Sequence, residues 1–196
     1  MYIPDESGIN SLGGFAYQIK VFVSYMLSME EGMQAEFETA DDIAISKMTP
    51  DIIDDNEDKF RNLIVSPNGI KAIQVKRTSI TEKVAKQVLL NWMLLEKSGK
   101  TITNYILFTD KSYKNSDIVF DVSAEVLYEE ILNSKKSEKA TITKVKKEYE
   151  NDKYRFLNVY EMIKSKYTFV SVDSIDEEIN EKCKVLFKKA GVNRIT

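Results

Sequence analysis

The tetrapeptide Ser66-Pro67-Asn68-Gly69 restricts the possible folds of this chain more than any other feature. Proline fixes φ for a turn, asparagine tolerates unusual backbone angles, and glycine supplies the positive φ that tight reversals need. On either side stand runs suited to strands, Asn62–Val65 before it and Ile70–Arg77 after it. A hairpin is therefore expected here. Ser79-Ile80-Thr81-Glu82 then fits a capping box that opens a helix to about Lys97, closed by Gly99. Asn104–Thr109 (NYILFT) is a short apolar run, as in an interior strand buried on both faces. A mixed central sheet flanked by helices is expected.

Upstream, Leu12–Glu31 reads as a helix whose buried face carries Phe15, Ile19, Phe22, Val23 and Met26, with Gly32 as its C′ residue. Gln18 falls at the border of that face. Gln34–Ile45 reads as extended, with an irregularity around Thr39–Asp41, and Thr49–Lys59 as an acidic surface excursion. Beyond Asp110 the pattern is helical around Ser123–Leu132 and Ile142–Lys164, with the lysine-rich stretch Asn133–Lys147 as a connector. A strand-like run, Tyr167–Val172, precedes a second capping box, Ser174-Ile175-Asp176-Glu177, and a last helix to about Gly191. The expected class is α/β, with an α-β-β-β-α-β core over residues 1–115 and a mainly helical extension, residues 116–196, packed on it. Trp92 is expected in the core.

Composition narrows the chemistry. The 196 residues contain no histidine and one cysteine, Cys183. Serine–histidine, cysteine–histidine and histidine-based nuclease machinery are thereby excluded, as are the usual structural zinc sites. Hard oxygen donors remain, and these suit Mg²⁺ or Mn²⁺. With a single cysteine there is no intrachain disulfide, as in a reducing cytoplasm, and no apolar run approaches the roughly 18 residues of a membrane span. The N-terminus MYIPDESG has no basic region followed by an apolar one, so no secretion signal is expected. Charge is uneven: residues 1–60 hold 13 acidic and 3 basic side chains, and residues 61–196 hold 18 and 25. Such a division suits metal binding in one part and phosphate contact in the other, and equally suits two ordinary solvated faces.

Alternation along Ile73-Gln74-Val75-Lys76 puts Gln74 and Lys76 on one side of a strand and the apolar residues on the other. Asp42 alternates in the same way with Ile43 and Ile45. An acid, an amide and a lysine would then share one sheet face. A carboxylate and a backbone carbonyl there can hold a divalent ion, and a lysine beside them can steady charge on phosphate oxygen.

Three segments in this order carry a family resemblance: Gly14-Phe15-Ala16-Tyr17-Gln18 on a helix, Glu38-Thr39-Ala40-Asp41-Asp42-Ile43, and Ile73-Gln74-Val75-Lys76. Together they resemble the PD-(D/E)XK nuclease superfamily, in particular the Mrr-like restriction enzymes and the effector endonuclease domains of bacterial anti-phage signalling systems of the CBASS type. The resemblance covers residues 8–110 and implies a restriction-endonuclease-like core. It matches Asp42 to the first metal-binding acid, Gln74 to the acid of the E-x-K element, Lys76 to its lysine, and Gln18 to the polar residue of the first helix. Metal would be held by Asp42, Gln74, the Val75 carbonyl and Glu38. Gln74 removes one negative charge from the usual site, although its amide oxygen still suits a hard cation. Glu36 and Glu38 share the parity of Asp42, and Glu38 is favoured to restore the charge.

The resemblance implies a Mg²⁺- or Mn²⁺-dependent endonuclease acting on double-stranded DNA in bacterial defence, located in the cytoplasm. Lys135, Lys136, Lys144, Lys146 and Lys147 are candidate phosphate contacts. Control would come from a sensor domain or separate regulatory subunit, or from homo-oligomerisation, with no membrane involved. The competing reading is a nuclease-fold scaffold or DNA-binding subunit without catalysis. Hydrolysis of RNA or single strands would use the same residues. Asp51, Asp54, Asp55, Glu57 and Asp58 lack the glycine and spaced closing glutamate of a calcium loop, and read as a solvated loop.

Overall fold

A computed structural model describes residues 7–38, 61–66, 69–77, 80–97, 99, 101–111, 113–137 and 140–191. Helix α1 is Ser7–Met26, followed by β1 (Gln34–Glu38), β2 (Arg61–Ser66), β3 (Gly69–Lys76), α2 (Glu82–Glu96) and β4 (Ile102–Asp110). Then come a 3₁₀ turn at Ile118–Phe120, α3 (Ala124–Leu132), α4 (Thr141–Tyr149), α5 (Lys153–Ser165), β5 (Tyr167–Val172) and α6 (Ile175–Lys189). The strands form one sheet in chain order. Its β1–β2 and β2–β3 pairs are antiparallel; β3–β4 and β4–β5 are parallel.

The hairpin turns as its tetrapeptide requires: Ser66 pairs with Gly69, whose φ is +125°. A Cβ on Gly69 would lie 2.9 Å from the Thr101 carbonyl oxygen and 2.7 Å from the Thr103 methyl. Backbone angle and close approach therefore both demand glycine.

Helices cover both faces of the sheet. On one side Ile70, Ala72, Tyr105 and Leu107 pack with residues of α2, α3, α4 and α5, including Trp92, Leu127, Tyr149 and Phe156. On the other, Ile73, Val75, Ile106 and Phe108 pack with Tyr17 and Val21 of α1 and Ile175 of α6. This double coverage explains why the interior strand β4 is apolar on both alternations. Residues 116–196 supply β5 and α6, which complete the sheet and the α1 layer begun by residues 7–110. Among the described residues, no helix is long and apolar enough to cross a membrane.

Several local expectations need correction. Among the α1 side chains described, residues 13–26, those buried are Tyr17, Val21 and Ser24, whereas Ile19 and Met26 are exposed. The stripe is rotated because Ser24 faces α6, where its hydroxyl donates to Glu178 Oε1 (2.6 Å) and accepts from Lys182 Nζ (2.6 Å). A satisfied serine can be buried as an aliphatic residue can. Gly32 (φ +84°) belongs to a turn closed by Met33 N–H on the Glu30 carbonyl, beyond the end of the helix at Met26.

Helix α2 is capped by Thr81, whose hydroxyl accepts from Val84 N–H, two residues later than expected. The shift buries Ile80 at N′ and Ala85 at N4 in the same core, as in a hydrophobic staple. The single helix expected over 142–164 is two, because Asp152 accepts from Arg155 N–H (2.9 Å) and starts α5 afresh. Residues 142–147, where the expected helix and the expected connector overlap, are helical, and Val145 and Tyr149 bury one side of α4.

Glu148 ties three of these helices together. It meets Lys97 at 2.6 Å and Arg155 at 2.9 Å, and its own side chain is 14% exposed. The Lys97 hydrogen bond, assisted by Arg155 and opposed by burial, holds the carboxyl below its ordinary 4.5. A depressed folded-state value makes the contribution to stability full above pH 4.5 and lost as pH falls through the lowered value. Glu148→Gln should therefore cost about 1 kcal/mol at neutral pH, the solvent around Lys97 and Arg155 keeping the figure small. Urea unfolding at pH 7 and at acid pH tests this. The gap between variant and wild type should close on acidification, and an equal gap at both pH values would refute the assignment.

Candidate functional site

Strand β3 carries Gln74 and Lys76 toward the face covered by α2. In the parallel register Gln74 lies opposite Leu107, and Lys76 opposite Thr109. Gln74 is 5% exposed and Lys76 half-buried at the strand's carboxyl end. Val75 alternates to the other face and is buried against the α1 layer, which leaves only its backbone for any ligand.

Glu38 ends β1. It pairs with Arg61, the residue before Asn62, while Asn62 pairs with Ile73, the residue before Gln74. The register thus sets Glu38 and Gln74 in one row, two strand spacings or about 10 Å apart along the hydrogen-bonding direction. Asp42, with the irregularity expected at Thr39–Asp41 and the acidic excursion after it, lies outside the described residues.

Gln18 is half-buried on α1, whose Tyr17 and Val21 pack on the opposite face from Gln74. A site that uses both glutamines has to be reached around the carboxyl end of β3. There Arg77 donates to the Gly13 carbonyl (3.5 Å), joining the strand end to α1.

The candidate phosphate contacts sit farther along the same helical layer. Lys135 and Lys136 are exposed after α3; Lys144 and Lys147 are on α4. Lys146 Nζ donates to the Leu132 carbonyl (2.5 Å), so it closes the carboxyl end of α3. Helix α4 begins where Gln87 Nε2 donates to Thr141 (2.6 Å) and ends where Tyr149 donates to the Met93 carbonyl (3.2 Å). At 1.5 Å per residue, these two contacts lie about 8 and 16 Å along α2 from Glu82.

Two residues that the pattern did not single out stand near the strand ends. Thr109 is fully buried, Tyr17 nearly so, and neither side-chain hydroxyl has a hydrogen-bond partner among the described residues. Burial, then the charges of Asp110 and Glu178, push the Tyr17 hydroxyl well above its ordinary value against the pull of Arg77. It stays protonated. A signal for Thr109 existed: it shares the alternation of Tyr105 and Leu107 yet is polar.

No protein-family model matches the chain, and no curated protein or solved structure matches it. Among the described residues, no group of three or more His, Cys, Asp or Glu side chains gathers to hold a metal. Gln74 and the orphaned Thr109 hydroxyl are hard neutral oxygen donors. Anionic charge for a metal ion would have to come from Asp42 or Glu38.

Proposed function

We propose that this protein is a divalent-metal-dependent endodeoxyribonuclease of the PD-(D/E)XK type, acting in bacterial anti-phage defence in the cytoplasm. The observation that carries the reading is a glutamine buried on a sheet face beside a half-buried lysine, at the end of a central strand. An amide and an ammonium together suit a phosphodiester and its counter-ion. Gln74, Asp42, Glu38 and the Val75 carbonyl would hold Mg²⁺ or Mn²⁺. When bound, the ion supplies Lewis acidity toward a phosphate oxygen.

Lys76 places a positive charge where phosphate oxygen gains negative charge, and its half-burial limits competition from water. Gln18 would approach from α1 at the strand end and orient the phosphate. Lys135, Lys136, Lys144 and Lys147 would track the duplex backbone; Lys146 would contribute its charge while holding α3. Regulation would come from a sensor domain, a separate subunit or self-association.

The second reading, a catalytically inactive DNA-binding or scaffold subunit, is favoured by Gln74 standing where an acid is expected. Supercoiled plasmid incubated with Mg²⁺ or Mn²⁺ separates the two. Nicked or linear product that disappears with chelator is expected, and intact plasmid at every metal concentration would leave only the scaffold.

A further inference from the structure

We propose that the outer edge of β5 is a self-pairing surface, on which a second copy of this chain adds its own β5 in antiparallel register. β5 ends the sheet and pairs with β4 on one side. Tyr105 N–H donates to the Lys166 carbonyl (3.1 Å) and Lys111 N–H to the Val172 carbonyl (2.9 Å), which fixes the phase of the β4–β5 ladder. By parallel alternation, Thr168 and Val170 also bond inward to β4. Tyr167, Phe169 and Ser171 therefore turn their N–H and C=O groups outward, and no second strand meets them among the described residues. Such a row of groups is a template for another strand.

The two edge strands differ in how they resist this. β1 has the sequence QAEFE, and pairing with its own copy would bring glutamates against glutamates. β5 has the sequence YTFVSV, without charge, proline or glycine. Charges stand just outside it with opposite signs at its two ends, Lys164 and Lys166 before the strand and Asp173 after it. Antiparallel pairing about Phe169 sets Tyr167 against Ser171 of the other copy and lets every outward group exchange a hydrogen bond. It also carries each Asp173 to the end where the second copy's lysines stand. Asp173 is 85% exposed and only 3.8 Å from Lys111, so it has room for another cation. The edge is thus complementary to itself in charge as well as in hydrogen bonding, as a two-fold interface requires. Six residues of edge bury less than a stable dimer needs. Helix α6, which shares a cluster with Val170 and Val172 through Ile175 and Ile179, leaves Leu186 and Phe187 exposed to add apolar area.

Sedimentation velocity on the full chain across micromolar concentrations reads the association. Wild type should pass from monomer to dimer, and amide exchange at Tyr167, Phe169 and Ser171 should slow as the dimer fills. Ser171→Lys puts a cation on the edge, close to the second copy's lysines, and should raise the dimer dissociation constant about tenfold or more. The Ser171 side chain is exposed, so at dilutions where the chain is monomeric the variant should melt as wild type does. Thr168→Lys, at the other exposed position of the strand, reads the same loss if the first variant misfolds.

A wild type that stays monomeric throughout would overturn the proposal. A dimer that both lysine variants leave intact would overturn it too, because the contact would then lie elsewhere. Slow exchange of the three amides in a monomer would assign the edge to another segment and exclude a second copy. Each of these results leaves the metal-dependent reading where it stands, since plasmid cleavage is measured separately.

Discussion

Lys76→Ala should lower metal-dependent plasmid cleavage by about 10²–10³-fold, the effect of deleting one preorganised group that meets developing charge. Lys76 is half-buried at the end of β3, opposite Thr109, so its ammonium acts in a medium less screening than water. Most of the loss should fall on kcat, because the interaction strengthens as charge builds on phosphate. Lys76→Arg keeps the charge but replaces a compact ammonium by a broad fork, and should recover part of the rate. Quantitative gel assays under single turnover, with melting curves to confirm folding, measure both variants. Cleavage by Lys76→Ala at the wild-type rate would exclude Lys76 from the chemistry.

Phe156→Ala should destabilise the fold by about 3–5 kcal/mol, lowering the melting temperature by roughly 10 °C. Phe156 is fully buried on α5, and its ring meets Tyr128 of α3 at 5.1 Å and Tyr149 of α4 edge-on at 5.6 Å. Removing it leaves a cavity where three helices converge. The Tyr149 and Tyr128 hydroxyls are also anchored on backbone carbonyls, so the walls cannot collapse freely. Phe156→Leu should cost much less. Urea unfolding would show the difference as a lowered midpoint, and a loss below 1 kcal/mol in the alanine variant would mean that the helices repack.

The elements most legible in the sequence were those whose signals are local. Tyr167–Val172 has the bounds read from its pattern, and Ser174 caps α6 by accepting from Glu177 N–H. The Ser66–Gly69 reversal needed only the chemistry of its own residues. What the pattern misplaced depended on partners distant in the chain. The face of α1 cannot be read from hydrophobicity alone when Ser24 is buried by Glu178 and Lys182, more than 150 residues away. Lys146 looked like a free charge because nothing nearby in sequence reveals the Leu132 carbonyl that it meets.

The candidate site shows the same division. Alternation within β3 was enough to set Gln74 and Lys76 apart from Ile73 and Val75. Thr109 becomes visible only through the β3–β4 register, which single-strand periodicity does not contain. Asp42 lies outside the described residues, so its place beside Gln74 still rests on its alternation with Ile43 and Ile45.

The pairing of α1 with α6 also sets a timetable for the growing chain. Lys20 meets Asp176 at 2.8 Å across 156 residues, and Ser24 meets Glu178 across 154. At about 5–20 residues per second, a ribosome needs roughly 10–30 s to bring the second helix out after the first. During that interval Tyr17 and Val21 lack the cover that Ile175 of α6 later supplies, and the outer edge of β4 awaits β5. Closing so long a loop is entropically unfavourable by only a slowly growing amount, but it must precede its own contacts. The later-made helix α6 is therefore the one that seals α1, and the nascent protein passes through a stage in which its sheet is open along the β4 edge and bare on part of one face.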